Sequence, residues 1–587
     1  MIFRLKRRVN VIAALLLPLA MSACSFLVDF PDVGGSGGSG ASGGSGASGG
    51  SGAAGGSGAM GGAGGLPGSG GNAGGGGGPQ CLDCNNCFPG AAVCPSPVAA
   101  VGFDARAPEA NDGSTYVEVA DMVPYGSGAR LVGHFFDFGA KGLELPATTL
   151  YTAQYAGGAF VLDDKGGVLA AAGPCADAGI PDGNEVFFNA VTNVAGGPTP
   201  RIVVVGAFEA GRMVFFGSSL DCSSPTVYVE GPEVQGSNFS PFLFWMDPDT
   251  GTVSQAVEAP TASAMDNGYL SDVAALPGGG PYQVAAIGVA GRDPFDTGAP
   301  AFETHRFYVV GTDGPGAGTE VRALDYRPCV VSHYTTMAGL DAGIGVDADD
   351  QVWVAGTGCP VNGAQGVPDH SFFGRFTTQS GAFDTSAFVA LGTDSDPIGI
   401  KKIAVSDSSI FLAGHYSGDA VPMLADGSNA EAGADGDGFV MAYGRVGWTN
   451  QKRPIWFRRL SAIGGPVVIR SLVESGGKVF VAGSVASGLS AGAVDACSTS
   501  IDLPGGRAFV AQLDGGDGSV DWVRLEGFEA LGVTPDFDFF SKATALAPSA
   551  SGLFVATSSL GEIVPICDGD STGMGKQPLL SVRRLGP

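Results

Sequence analysis

Seven short segments of this chain follow one plan, a run of β-branched, aliphatic and aromatic residues ending in glycine or another small residue. The clearest is Val479-Phe480-Val481-Ala482-Gly483, and its counterparts end at Gly133, Gly206, Gly288, Gly356, Gly414 and Thr557. These markers recur at uneven steps near one period of about 70 residues, and self-similarity of that kind means stacked supersecondary units with loops of variable length.

Each unit can be resolved further. Ahead of a marker lies another β-like run, such as Ile403-Ala404-Val405 or Arg470-Ser471-Leu472-Val473, separated from it by turn residues such as Asp407-Ser408-Ser409 or Ser475-Gly476-Gly477. That pattern is a hairpin. After the marker come a third run, such as Phe439-Val440-Met441 or Phe509-Val510-Ala511-Gln512-Leu513, an Asp/Gly turn, and a fourth run such as Val520-Asp521-Trp522-Val523. Four antiparallel strands in each of seven units is the pattern of an all-β, seven-bladed β-propeller. The last unit reaches Leu585-Gly586-Pro587 with no room for a fourth strand, so residues near Ala99 to Phe103 are expected to supply it and remove an unpaired edge.

The segment Phe509-Val510-Ala511-Gln512-Leu513-Asp514, leading through glycines to Trp522-Val523-Arg524-Leu525 and preceded by Val479 to Gly483, resembles the bacterial β-propeller repeat of the SBBP type, common in surface lipoproteins and exported proteins. Units between about 400 and 530 match it well, and those before about 300 keep the strand skeleton. The resemblance implies fold and location, and no activity. A quinoprotein-type repeat also places Asp, Gly and Trp around such a turn, matched here in one unit by Asp514, Gly518 and Trp522.

The start of the chain concerns location. Arg4, Lys6, Arg7 and Arg8 form a basic opening, Val11 to Leu19 a short apolar core, and Met21-Ser22-Ala23-Cys24 a small-residue close. This order reads as an export signal, too short to span a membrane. It resembles a bacterial lipoprotein signal, which implies cleavage before a lipidated Cys24; Ser25, rather than Asp, in the next position implies the outer membrane. Four regions follow: a signal at 1–23, a Gly/Ser/Ala-rich flexible tether at 24–80, a Cys-rich entry segment at 81–96 and the propeller at 97–587. The tether holds much of the glycine among the chain's 99 and cannot bury enough apolar surface to order itself. The net charge of −27 gives no counterion-release affinity for nucleic acid or anionic lipid, so contact with a membrane is expected through the lipid alone.

An exported chain meets an oxidising compartment, where Cys81, Cys84, Cys87 and Cys94 are expected to pair as two disulfides rather than hold zinc or an iron–sulfur cluster. The remaining cysteines fall in links expected on one face: Cys175 and Cys329 between units, and Cys222, Cys359, Cys497 and Cys567 between second and third strands. Pairing Cys175 with Cys222, Cys329 with Cys359 and Cys497 with Cys567 joins neighbouring units, among 15 connectivities that six cysteines allow. The same face carries the longest links, Glu209 to Ser240, Tyr416 to Gly438 and Gly488 to Arg507, and is the expected binding face.

Chemistry is sparse. His134 and His415 stand just after the marker glycine of their units, which brings both towards the axis, either as ligand-binding groups or as strand-end residues bonded to backbone. Asp426, Glu431, Asp435 and Asp437 form one acidic loop, and Asp347, Asp349 and Asp350 a second acidic turn; either offers oxygen ligands for calcium or is a solvated turn. No cofactor other than calcium is indicated, and no phosphate loop, dinucleotide fingerprint or nucleophile–base grouping is present. The readings that follow are a binding or scaffold module for protein or glycan, using His134, His415, Asp435 and Asp437; a hydrolase or lyase acting on extracellular polysaccharide; and a structural envelope component.

Overall fold

The computed structural model describes residues 97–106, 116–136, 143–147, 149–150, 158–174, 186–194, 200–209, 212–216, 227–230, 239–259, 266–277, 282–292, 302–312, 319–325, 342–357, 371–377, 382–393, 396–416, 422–430, 436–446, 453–462, 466–485, 489–491, 494–495, 507–527, 541–560 and 578–586. All of them belong to one compact unit, and every named element is a β-strand.

Strand β1 (Pro97–Arg106) is followed by β2 (Tyr116–Tyr125), β3 (Gly128–Phe136), the short pair β4 (Leu143–Glu144) and β5 (Thr149–Leu150), then β6 (Gly158–Asp163) and β7 (Val168–Pro174). The next run is β8 (Val186–Val194), β9 (Arg201–Glu209), the pair β10 (Arg212–Phe216) and β11 (Val227–Glu230), β12 (Phe239–Met246) and β13 (Val253–Glu258). It is succeeded by β14 (Asp266–Ala275), β15 (Val284–Arg292), β16 (Phe302–Thr312) and β17 (Thr319–Asp325), and by β18 (Ala342–Val346), β19 (Val352–Thr357), β20 (Ser371–Thr377) and β21 (Ala382–Thr393). Beyond them lie β22 (Asp396–Val405), β23 (Ser409–Tyr416), β24 (Asp437–Gly444) and β25 (Trp456–Ala462). Then come β26 (Val467–Ser475), β27 (Lys478–Val485), the pair β28 (Leu489–Ala491) and β29 (Val494–Asp495), β30 (Arg507–Asp514) and β31 (Val520–Gly527), and finally β32 (Ser541–Ser549), β33 (Gly552–Leu560) and β34 (Pro578–Leu585).

The fold is a β-propeller of four-stranded antiparallel runs. The first strands of the runs, β2, β8, β14, β18, β22, β26 and β32, each pack on the next, and β32 packs on β2, closing a ring around an axis. β1 completes the last run by pairing antiparallel with β34, Phe103 opposite Val582 and Arg106 opposite Leu579, as expected from the missing fourth strand. Asp104 and Arg583 hold this closure with a 2.8 Å ion pair.

Hydrogen bonding divides the strands into six sheets rather than seven separate ones, because one sheet has ten strands. The union rests on two residue pairs, Gly392 opposite Pro397 and Thr393 opposite Asp396, where the outer β21 meets the inner β22.

Long links also behave differently from expectation. The β10–β11 pair, inside the link from Glu209 to Ser240, adds to the outer edge of β7 in the preceding run. β28–β29 adds to β25 in the same manner, and β4–β5 adds to β1. Parts of these links therefore cover sheet edges instead of standing as free binding loops, which answers the liability of an unpaired strand.

Apolar layers lie between each run and its neighbour. One layer joins Val117, Leu131 and Phe160 to Phe554 and Val582; another joins Val481 and Phe509 to Phe411 and Trp456. Trp245 and Trp353 are among the largest fully buried side chains. Alternation along each strand sends successive residues into the two flanking layers, and each fully buried large side chain contributes on the order of 1.5–3 kcal/mol.

The marker glycine has a steric origin. In six of the first strands the register slips by one residue opposite the marker, leaving Ala120, Asn189, Ser271, Lys401, Arg470 and Thr544 as bulge residues. The bulge presses a backbone carbonyl onto the partner strand. A Cβ at Gly206 would strike the carbonyl oxygen of Phe187, and one at Gly483 that of Val468.

Candidate functional site

The bulges gather polar side chains on the ring of inner strands. On one side of the ring they act as staples between strands. Asp121 on β2 accepts N–H bonds from Met122 at 2.9 Å and, across the strand boundary, from Val191 on β8 at 2.9 Å. Asn189 donates to the Leu270 carbonyl of β14 at 2.8 Å. Asp272 repeats the Asp121 pattern one step further, accepting from Val273 at 2.9 Å and from Ile344 on β18 at 3.0 Å. Each carboxylate replaces a hydrogen-bond partner that the inner strand edge lacks.

On the other side the positions that correspond to Asn189 are cationic in two strands, Lys401 on β22 and Arg470 on β26. Lys402 follows Lys401 on β22, and β32 carries Lys542 at the register of Glu118, one residue before the partner of its marker. These charges act across the axis. Burial raises Asp121 to about 6; Lys402 opposes that shift and Asp272 adds to it, although β2, β14 and β22 are not neighbours in the ring. Burial likewise raises Asp272, with Lys402 opposing.

At the end of the axis where β2 begins and β3 finishes, Lys542 reaches from β32 to Glu118 on β2 and donates to its Oε2 at 2.6 Å. The pair is nearly closed to solvent, with side chains 9% and 13% exposed. Burial would raise Glu118, but Lys542, Arg470 and His134 outweigh it and hold the carboxyl below its ordinary range. Burial lowers Lys542 to about 8, despite Glu118, and Arg470 lowers it further. A lysine near 8 exchanges its proton close to neutral pH. Arg470 thus feels both members of the pair, and its Nε, shut off from solvent, has no hydrogen-bond partner among the described residues.

The two histidines predicted from sequence lie at this same end and in equivalent register, His134 opposite Glu118 and His415 opposite Gly399. His134 stands edge-on to Phe187, with centroids 5.1 Å apart, and is hydrogen-bonded to the Phe188 backbone. Burial lowers it to about 4, against the pull of Glu118. His415 falls to about 4 through burial and Lys401, and its ring fills the space that a Cβ at residue 399 would need. Both imidazoles are neutral at physiological pH. They belong to the wall of the site; the charge comes from Glu118, Lys542, Arg470 and Lys401, none of which was singled out as functional from sequence. The signal was present around the bulge: Lys401 and Arg470 immediately follow, and Lys542 immediately precedes, the residue paired with a marker.

The acidic turns follow local backbone logic. Asp347 Oδ1 accepts from Asp349 at 2.9 Å and Gln351 at 3.0 Å, while Oδ2 receives Trp353 Nε1 at 3.2 Å and Arg445 at 3.0 Å. Asp350 holds a left-handed φ of 57° in that turn, a conformation Asp tolerates. Asp437 is not a loop residue as expected. It opens β24, is buried, and bonds Arg459 Nε at 2.6 Å. Asp426 sits in an exposed turn, bonded to Ser428. Among the described residues no three His, Cys, Asp or Glu side chains are grouped to hold a metal. Glu431, Asp435, Cys24 and the ten cysteines expected in disulfides, together with the signal, tether and entry segment, lie outside the described residues.

No family model matches this sequence, and no curated protein is similar to it at a significant level. Solved structures similar to the chain include the polysaccharide lyase Uly1, at 11% identity and a TM-score of 0.25, covering 59% of this chain and 85% of that one. Another is Trypanosoma rangeli sialidase in complex with sialic acid, at 8% identity and a TM-score of 0.26, covering 67% of this chain; the match spans about half of the sialidase, 53%. Neither likeness bears on the chemistry of the site.

Proposed function

We propose that the chain is an exported binding module, anchored through lipid at Cys24, that takes a protein or glycan ligand at the axial end formed by Glu118, Lys542, Arg470 and His134. The observation that carries this reading is the contrast around the ring. Asp121, Asn189 and Asp272 are used to join strands, whereas the cationic side ends in a nearly closed ion pair beside an arginine whose Nε has no hydrogen-bond partner among the described residues. Within this reading the ten-stranded sheet counts as two blades, since two residue pairs alone join them, giving seven blades of the SBBP type on a flexible tether. The ring of seven mutually packed first strands supports that count.

Binding is tested by affinity electrophoresis of the full chain against a panel of soluble polysaccharides and envelope proteins, beside the double variant Glu118→Gln/Lys542→Met at matched thermal stability. Loss of retention in the variant is expected; equal retention would sink the axial assignment. Anchoring is tested by lipid labelling, which Cys24→Ser should abolish. Calcium at the loop of Asp426, Glu431 and Asp435 is tested by melting with and without chelator.

One observation favours a second reading, a hydrolase or lyase on the same scaffold: Lys542, held near 8 beside Glu118, can exchange a proton at working pH. Depolymerisation of a panel polysaccharide that disappears in Lys542→Met would establish it.

A further inference from the structure

We infer that the axial end binds an oxyanion, a carboxylate, sulfate or phosphate group carried by the ligand, with Arg470 as its principal contact. The inference rests on the binding reading above and narrows it to one chemistry.

Three observations converge. The first is charge placement. The chain holds 30 basic residues against 57 acidic ones, yet Lys401, Lys402, Arg470 and Lys542 fall on three successive inner strands. A local excess of cations inside an acidic molecule focuses anions towards that point.

The second is the state of Arg470. It occupies the bulge of β26, skipped in the pairing between Ile469 and Ser471, a position that re-aims a side chain away from the regular ladder. Its Nε is screened from water and without a partner among the described residues, although it lies close enough to Glu118 and Lys542 to shift both. A buried guanidinium N–H with nothing to donate to is costly, and an oxyanion approaching side-on satisfies it together with a neighbouring N–H. Glu118 accepts from Lys542 Nζ at Oε2 and leaves this nitrogen unsatisfied.

The third lies one residue outward. Ser484 is fully buried and Ser558 is 3% exposed, they sit opposite Val468 and Lys542, and both hydroxyls lack a partner among the described residues. Each hydroxyl carries one O–H that an oxyanion can accept.

The alternative ligand chemistry, a cation, is disfavoured by the same geometry. Asp121 and Asp272 already accept two backbone N–H bonds each, and Glu118 is neutralised by Lys542.

The experiment is equilibrium binding of the full chain to polygalacturonate, dextran sulfate, neutral dextran and inorganic phosphate, at low and high ionic strength. Oxyanion recognition gives binding to at least one anionic probe and none to neutral dextran, weakening as salt rises. Arg470→Gln should reduce that affinity on the order of ten- to a hundredfold, the range of a charge-assisted hydrogen bond. Arg470→Lys, which keeps the charge and loses the fork, should fall between. Polygalacturonate alone binding identifies carboxylate as the source; dextran sulfate or phosphate alone identifies the tetrahedral oxyanions. Thermal melts of both variants confirm that they fold. Binding to anionic and neutral polymers alike, or affinity unchanged in Arg470→Gln, overturns the inference. In that event, neutral-polymer binding lost in Glu118→Gln/Lys542→Met would leave the broader binding reading standing, whereas no binding to any probe would overturn the inference and leave the broader reading to the envelope-protein and polysaccharide panel.

Discussion

Glycine at the marker positions is a packing requirement, and its energetic weight can be measured at a single site. Gly483→Ala places a methyl group against the Val468 carbonyl, with no flexible side chain to yield. The expected cost is about 2–3 kcal/mol in denaturant unfolding, typical of an overpacked core. Gly399→Ala should act by another route, displacing the His415 ring, and can be followed by the imidazole resonances of that residue.

Titration of single residues has signs that can be worked out. His134 and His415 are lowered to about 4 from an ordinary 6.5, so the stability they contribute is present above 6.5 and is lost as pH falls towards 4. Asp121 runs the other way. Raised to about 6 from 3.8, it opposes folding at neutral pH, and that penalty is relieved as pH falls from about 6 towards 3.8. Unfolding free energies measured between pH 7.5 and 4 should therefore fall more gently in His134→Gln/His415→Gln and more steeply in Asp121→Asn than in the parent chain. Parallel curves for all three would show that these side chains titrate alike folded and unfolded.

At the level of elements, the Glu118–Lys542 pair ties β2 to β32 and so ties the start of the ring to its end. Removing one partner leaves a buried charge uncompensated, and Glu118→Gln is expected to cost about 3 kcal/mol at neutral pH. The double variant Glu118→Gln/Lys542→Met should cost clearly less. Because the Lys542 pKa of about 8 lies below its unfolded value of 10.5, the cost of Glu118→Gln should shrink as pH rises through about 8. A double-mutant cycle at two pH values checks both statements.

Much of this element plan was legible in the chain. Turn chemistry marked the hairpins, since Gly476 and Gly477 at φ 62° and 78° join β26 to β27 as a paired-glycine turn does. The shortage of a fourth strand in the last unit located β1. What could not be read was long-range. That β10–β11 and β28–β29 lie back on a preceding outer strand depends on an edge created by other residues, and the union of β21 with β22 depends on how two runs abut. The site was half legible for the same reason: the equivalence of His134 and His415 is a pattern within one repeat, whereas the meeting of Lys542 with Glu118 joins residues 424 positions apart. Asp437 misled because an acidic stretch looks the same whether its last member is a loop residue or the first residue of a buried strand.

Over the whole molecule, a net charge of −27 repels itself in the compact state. Moderate salt should raise the melting temperature even as it weakens ligand binding at the cationic side of the axis, and the opposite signs separate global repulsion from local attraction. Melting and binding followed in one salt series would show the divergence; if both moved together, the axial charges would not govern the ligand.

The closure strand sets a condition on how the chain comes into being. Asp104 and Arg583, which clasp β1 to β34, are separated by 479 positions, so β1 leaves the ribosome long before its partner exists. At 5–20 residues per second the wait is on the order of 25–95 s, during which the run that closes the ring cannot form. The earliest strand made is thus the last to find its place. A nascent chain stalled short of β32 should keep β1 open to proteolysis while its middle runs already resist it, and the gain of protection at release would time the closing of the ring.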